Sequence, residues 1–521
     1  MASDRRRGAF EADEGGVRSA TPQREALRRV RRVRARGSRI SHRDRTGDRG
    51  GARAVRHRLL ALSPVDGRYA DLVDDLRPHL SEFGYIRYRL LVEAEYLRAL
   101  SEWGVAELEP GALQYLKSLP ERFGPEEAEE VKAIEADVGH DVEAVVRFLK
   151  ARLRSQGYAR AAVWVHAGLT SEDVNSNAFS LALREVNEGV LVPELSRLCE
   201  ELAELALREK ATPMLARTHG KPAVPTTLGR ELAYHAMRAL EWIERLRGFK
   251  MPGKVSGAIG SYAGLMEVLG ERTLEFVGRF LSSLGLEPVL VTKQVIPADR
   301  HSIYLHHLSS LSMALTDLAR DLWLLSMLGY VSLEPTRVGS STMPQKQNPV
   351  EAENAEGNLE LAADLLAFVA NRLQTSRLQR DLSDSTVRRN VSVGIAHLLI
   401  GVRQLRRFLR RARFDAERMR EDLMRHEEAL AEAVQLRFRR LGIDAIDELR
   451  SLLASGLKLR EAVGELCRKY GARVEDVMPK DPLAYTGLSV EIAEMVHREV
   501  TRRLGTHSGA EVLEAGARRS T

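Results

Sequence analysis

Between Gly339 and Asn358 two serine hydroxyls (Ser340, Ser341), a lysine (Lys346), amides (Asn348, Asn354) and carboxylates (Glu351, Glu353) crowd one loop-to-helix junction. That is the composition of an active-site loop. Asn348-Pro349 predicts the start of a helix, with Asn348 as N-cap, Pro349 in the first helical position and Glu351 completing a capping box. A loop that ends at a helix N-terminus offers unpaired backbone N–H groups and the positive end of the helix dipole, which suit a carboxylate or a phosphate. Lys346 strengthens that preference. The same Ser and Asn side chains would serve equally in a polar connection that only satisfies turns and caps.

The elements that must position this loop are helices. From Ala298 to Leu328 there is no Gly or Pro, and Leu308, Leu311, Leu315, Leu318, Leu322 and Leu325 follow one another at steps of three and four, giving one long helix with an apolar seam. Leu80 to Trp103 and Ala128 to Leu153 read as helices, the second interrupted at Gly139-His140-Asp141-Val142. Thr170 and Asp173 have capping-box spacing at the head of a helix running towards Lys210, with Leu195, Leu198, Leu202 and Leu205 on one face. Arg217 to Thr227 reads as a Gly/Pro loop in which His219 has a plausible proton-transfer role near pH 7, although loop histidines are usually only solvated. Gly253 to Gly260 is glycine punctuation between helices, and the lack of a GK[ST] between strand and helix rules out a P-loop. Arg377 to Asn390 carries two Arg clusters around Ser and Thr, either a solvated charged face or a bidentate grip on oxyanions. From Phe408 onward, charged amphipathic helices broken at Gly442, Gly456 and Gly464 suggest a small terminal helical domain.

At 521 residues several domains are expected, and the 44% apolar content is that of a globular chain. No stretch approaches the roughly 18 uninterrupted apolar residues of a membrane helix, so no membrane partner is expected. Cys199 and Cys467, far apart and outside any CxxC, argue against a disulfide scaffold or cysteine metal site, and a reducing cytoplasm fits. Residues 1–57 hold 17 Arg and 7 acids, a charge of +10 against +6 for the whole chain, which leaves −4 for residues 58–521. This Arg-rich extension is expected to be disordered. It could bind nucleic acid or act as a transit peptide; the preferred expectation is upstream sequence translated from a start codon placed too early.

Six stretches, in one order, resemble the fumarase/aspartase superfamily and, within it, the bacterial adenylosuccinate lyases. GSSTMPQKQNP from Gly339 is similar to the superfamily's signature loop, and SPVDGRY from Ser63 to the family's opening segment. His140-Asp141-Val142 with Phe148-Leu149-Lys150 resembles NHDVKAVEYFLK, Thr170 to Asp173 the TSED segment, Arg217 to Gly220 the RTHGQPA segment, and Arg377 to Asn390 the SRWQRDLTDSTVLRN segment. The resemblance implies Ser340 as the base, His219 as the acid, Glu353 as the partner that orients the acid, and Lys346 and Asn348 as stabilisers of developing negative charge. It implies that Arg68 and Tyr69 contact a phosphate and that His140 and Asp141 line the pocket. Thr170 and Ser171 would bind the carboxylate of the leaving fumarate. Gln294, Ser341 and Asn354 would contact substrate, while Arg380 and Ser385, Thr386 and onward to Arg389 would grip phosphate and succinyl groups. Gly139, Lys221 and Ser256 depart from the family's Asn, Gln and Asn.

The fold so implied is all-α in three domains, residues 58–160, 161–407 and 408–521, whose long central helices pair between subunits into a homotetramer with shared active sites. The Leu308 to Leu325 seam is the expected surface for that association. The reaction implied is elimination of fumarate from adenylosuccinate, giving AMP, and from the succinyl-aminoimidazole carboxamide ribotide (SAICAR), giving AICAR. No metal or organic cofactor is required for it. Two alternatives stand beside this expectation. One is another superfamily lyase such as argininosuccinate lyase, which the MPQK spelling resembles. The other is a nucleic-acid-binding protein reusing the scaffold, for which only the basic extension speaks.

Overall fold

Long Gly- and Pro-free stretches with one apolar stripe become helices, and in the computed structural model helices dominate residues 58–334, 343 and 346–505, the residues the structure describes. The extension 1–57, Ser340 and Ser341 lie outside them. Residues 58–61 close a turn through Ala61 N–H and Arg58 C=O, 3.3 Å apart; everything below concerns residue 62 onward.

The N-terminal region is built on α1 (Glu82–Glu102), capped by Ser81, whose hydroxyl accepts Gly84 N–H at 3.2 Å. The expected interruption at Gly139 separates α2 (Pro125–Val138) from α3 (Asp141–Ser155): Gly139, at φ +69°, ends the first and His140 caps the second. A left-handed residue at a helix C-terminus is most often Gly and sometimes Asn, so Gly139 keeps the backbone role open to the family's Asn. After α4 (Ser171–Val186) the chain runs through one π-helical stretch into α5 (Val192–Arg208), which buries Leu195, Leu198, Leu202 and Leu205.

Arg217 to Thr227, expected to be a loop, falls instead in a hairpin, β1 (Pro213–Thr218) with β2 (Lys221–Thr227), followed by α6 (Leu228–Arg247). Thr218 pairs with Lys221, leaving His219 and Gly220 as a two-residue connection with φ of +55° and +73°. Positive φ at both central residues is the tight turn whose twist matches antiparallel strands.

The expected long helix is α7 (Asp299–Met327), with Leu308, Leu311, Leu315, Leu318 and Leu322 at most 3% exposed. Burying each such side chain is worth about 1.5–3 kcal/mol. The seam is used within the subunit, because α7 packs on α8 (Val350–Leu373) and α8 on α10, the helix Val391–Arg411 that follows the short α9 (Ser383–Arg388). Gly394 and Gly401, seven apart on α10, let that helix close on α8: a Cβ at either would come within 2.8 Å of Leu366 or 2.5 Å of Leu359. The expectation that the leucine seam is the association surface is therefore corrected. What α7 leaves outside is Ile303, Met313, Trp323, Leu324 and Met327, 37–61% exposed, and α8 leaves Leu361 and Phe368 at 57% and 58%.

Helix α8 also starts one residue later than expected. Pro349 takes the cap position and no side chain caps it, because buried Glu351 turns to Arg411, with Arg407 at 3.4 Å, instead of reaching back to Asn348. After α10 come α11 (Ala416–Arg425) and helices whose apolar residues between Leu430 and Met478 form a separate core. The last described helix, α12 (Ser489–Leu504), packs back on α5 and α6. The strands among the described residues form three two-stranded sheets: the hairpin, a pairing of Val331–Leu333 with Ala412–Phe414, and a two-residue parallel pairing at Pro252–Gly253 and Glu287–Pro288. No described helix is long and apolar enough to cross a membrane.

Candidate active site

Two helix starts meet at the first part of the site. His140 accepts Glu143 N–H on Nδ1 at 3.4 Å, and its Nε2 lies 3.3 Å from Ser171 Oγ at the head of α4. Asp141, one residue on, takes Arg89 Nη2–H at 2.6 Å, while Arg89 Nε–H donates to Asn175 at 2.8 Å. Arg89 thus ties α1, α3 and α4 together.

Thr170 N–H donates to Asp173 Oδ2 at 2.8 Å, as the capping-box spacing predicts. Asp173 does more than cap. Fully buried, it also accepts Ser256 N–H at 2.8 Å and Gly257 N–H at 3.1 Å, and its Oδ1 lies 2.9 Å from the equally buried Lys254 ammonium. Lys254 in turn donates to the carbonyl of Gln294 at 2.5 Å, and the Gln294 amide donates to Ala258 C=O at 2.8 Å. One ion pair therefore fixes three segments, those of Thr170-Ser171, Ser256 and Gln294. Ser256 spends its hydroxyl on Thr292, 2.7 Å away, in a site without exposure.

Upstream of Thr170, His166 sits at φ +66° with Nδ1 2.5 Å from Oε1 of buried Glu93. Burial lowers the affinity of this imidazole for a proton, but the Glu93 carboxylate outweighs that and holds its pKa above the ordinary value.

The Arg-rich segment packs on Glu172, which is 3% exposed. Arg380 donates to Asp384 at 2.9 and 3.0 Å and to Glu172 at 3.0 Å; Arg388 donates to Asp384 at 2.6 Å and lies over the Phe179 ring. Burial alone would raise the Glu172 pKa, yet Arg388 and Arg380 hold it below the usual carboxylate range. Ser385 and Arg389 face Asp141, Arg89 and Tyr85 across one cleft. Thr386 is exposed and does not line it.

Tyr69 and Asn354, 285 residues apart in sequence, meet where the amide donates to the phenol oxygen at 2.9 Å; Arg68 beside them is exposed. Lys346 is exposed and Asn348 half-buried. Glu353 accepts Trp323 Nε1–H at 3.2 Å. His219 has no hydrogen bond or ion pair among the described residues and is exposed at the hairpin tip, next to the exposed Lys221. The hairpin itself is anchored: Arg217 donates to Asp422 at 2.5 Å and to Tyr330 Oη at 3.1 Å, and the Tyr330 hydroxyl also donates to Asp422. Burial and the Asp422 carboxylate push the Tyr330 phenol up to about 12. Among the described residues no group of His, Cys, Asp and Glu could hold a metal.

Sequence reading missed Tyr85, Arg89 and the Asp173–Lys254 pair. Spacing did not mark the first two, because the same helix also carries Arg87, Glu93, Glu95 and Arg98, so a tyrosine and an arginine four apart do not stand out.

An all-α body of long packed helices is an architecture shared with solved structures. The structure matches the 3-carboxy-cis,cis-muconate lactonizing enzyme from Pseudomonas putida with a TM-score of 0.69, 25% identity, and coverage of 83% of this chain and 98% of that one. It matches a fumarate lyase from Mesorhizobium with a TM-score of 0.69 and 22% identity, over 82% and 97%. A lyase family model spans residues 67–361, and an adenylosuccinate lyase C-terminal model residues 376–468. The adenylosuccinate lyase of Haemophilus influenzae is 34% identical over 84% of this chain and 98% of its own length; that of Escherichia coli is 34% identical over 77% and 90%. That of Legionella pneumophila is 33% identical over 84% and 98%. The chain belongs to the adenylosuccinate lyase family.

Proposed function

We propose that the chain eliminates fumarate from adenylosuccinate, giving AMP, and from SAICAR, giving AICAR. The observation that carries this reading is the cleft where Asp141, Ser385 and Arg389 converge beside His140 and Ser171. It gathers three motifs far apart in sequence around oxyanion-binding groups, in a chain 34% identical to an adenylosuccinate lyase along 98% of that enzyme.

In this reading the chemistry is proton transfer and charge stabilisation, with no cofactor. Ser340 removes the carbon-bound proton beside a carboxylate, and Lys346, Asn348 and loop N–H groups stabilise the second negative charge that builds there. His219, oriented by Glu353, protonates the departing nitrogen. Thr170 and Ser171 hold the leaving carboxylate, and Gln294 and Ser341 the rest of the succinyl group. Arg68, Tyr69, Ser385 and Arg389 hold the phosphate end, with Asn354 positioning Tyr69; Thr386, outside the cleft, takes no part. Arg380 acts through Glu172 and Asp384, which occupy its guanidinium.

His219 and Glu353 do not bond each other within one subunit: the first is at an exposed tip and the second faces Trp323. This supports active sites shared between subunits of a homotetramer, as does the apolar outer face of α7 and α8, a patch of the kind that marks an interface. We propose the three parts 58–160, 161–407 and 408–521 as the units of that assembly. Two buried free thiols suit a cytoplasmic location. The test is fumarate release followed by absorbance, with adenylosuccinate, SAICAR and argininosuccinate in parallel. Turnover of argininosuccinate alone would overturn the reading.

A further inference from the structure

Of the buried side-chain atoms that have no hydrogen-bond partner among the described residues, three belong to the wall of this one cleft: Tyr85 Oη, Arg89 Nη1 and Arg388 Nε. Tyr85 and Arg89, four apart on α1, present the same face. Arg388 comes to them from the end of α9. The remaining donors of both arginines are engaged inside the protein, Arg89 on Asp141 and Asn175, Arg388 on Asp384 and Glu172. What is left over points to a ligand, since a buried polar group without a partner costs about 1–3 kcal/mol and native structures seldom keep several side by side.

We propose that Tyr85 Oη, Arg89 Nη1 and Arg388 Nε form a subsite for an oxyanion of the substrate, a phosphoryl or carboxylate group, next to Ser385 and Arg389. The inference rests on the lyase reading and adds to that site residues that neither the sequence motifs nor the family's pattern single out at positions 85 and 89. Its ligand class follows from the chemistry of the orphans. The two guanidinium N–H groups can only donate, and the phenol completes them as a third donor. Burial pushes the Tyr85 phenol up to about 12, so it keeps its proton at neutral pH. Arg89, Arg388 and Arg389 face Glu82, Asp141 and Glu172 in the same wall, so formal charges balance. Directed hydrogen bonds, more than net positive charge, therefore select the occupant.

Tyr85→Phe tests this without opening a cavity, because it removes one oxygen. The variant and the wild-type tetramer are titrated separately with inorganic phosphate and with succinate, by calorimetry, and their KM and kcat for adenylosuccinate are compared. The variant, relieved of an unpartnered hydroxyl, melts no lower than wild type in the absence of ligand. It loses about tenfold or more in affinity for one of the two anions, and KM rises by a similar factor while kcat changes less; tenfold is about 1.4 kcal/mol. Loss of phosphate binding assigns the subsite to the phosphoryl group, and loss of succinate binding to a carboxylate. Equal affinities in both proteins for both anions overturn the proposal, as does a wild type that binds neither. A wild type that binds anions through Tyr85 yet does not cleave adenylosuccinate would sink the lyase reading and leave the subsite standing.

Discussion

The two halves of the candidate site are built differently. Around Asp141, Glu172 and Asp173 the charged side chains are paired: Arg89, Arg380, Arg388 and Lys254 each have a carboxylate partner within the chain, and Asp173 and Lys254 are fully buried. At the hairpin tip and around the start of α8, His219, Lys346 and Glu353 are exposed and Asn348 is half-buried, and His219 and Lys346 have no side-chain partner among the described residues. A buried charge needs its partner in the same fold, because an unpaired one would cost several kcal/mol. An exposed one can wait for a partner that arrives with another subunit. On the proposed reading the binding half is formed within one chain, and the chemical half waits for assembly to complete it.

Substitutions in the chemical half should strike the rate with little effect on folding. Ser340→Ala is expected to abolish turnover while leaving substrate binding nearly intact, read by single-turnover fumarate release and by calorimetry. Activity within about tenfold of wild type would move the base elsewhere. His219→Gln comes next, with kcat lower by about 10²- to 10⁴-fold, as for a lost general acid. An effect confined to KM would make His219 a binding residue.

The binding half should answer in the opposite sense. Lys254→Met leaves the Asp173 carboxylate buried without its cation, which costs about 3–5 kcal/mol, so the variant should melt lower and its KM rise about tenfold as Thr170-Ser171 and Gln294 lose their common anchor. Pairing it with Asp173→Asn removes the stranded charge, and the single amide oxygen can still serve Thr170 and Gly257 N–H while Ser256 N–H loses its acceptor. The double variant should recover part of the melting temperature and keep the raised KM. A wild-type KM in that double variant would reduce the pair to a structural role.

Legibility in the sequence followed the range of the interaction that decides each feature. Helix α7, the break at Gly139 and the Thr170 cap were readable because spacing and caps are local. The hairpin was not: its turn places His219 where Asn or Gly is the usual signal, and its prolines suggested a loop. The leucine seam was found but assigned to the wrong neighbour, since periodicity tells that a face is buried and is silent on which chain covers it. Glu351 was expected as a cap and serves Arg411, 60 residues away. Tyr85 and Arg89 became visible only when segments 52 and 86 residues distant from Arg89 were brought beside it.

The central claim, that assembly completes a site whose binding half is already formed, is tested by mixing two variants that are each silent. Ser340→Ala and His219→Gln variants are combined in equal amounts and allowed to exchange subunits, with mixed oligomers verified by intact mass spectrometry. If a site takes Ser340 and His219 from different chains, about one site in four receives both intact, and activity should climb towards roughly a quarter of wild type. Mixed oligomers that remain inactive would contradict the claim.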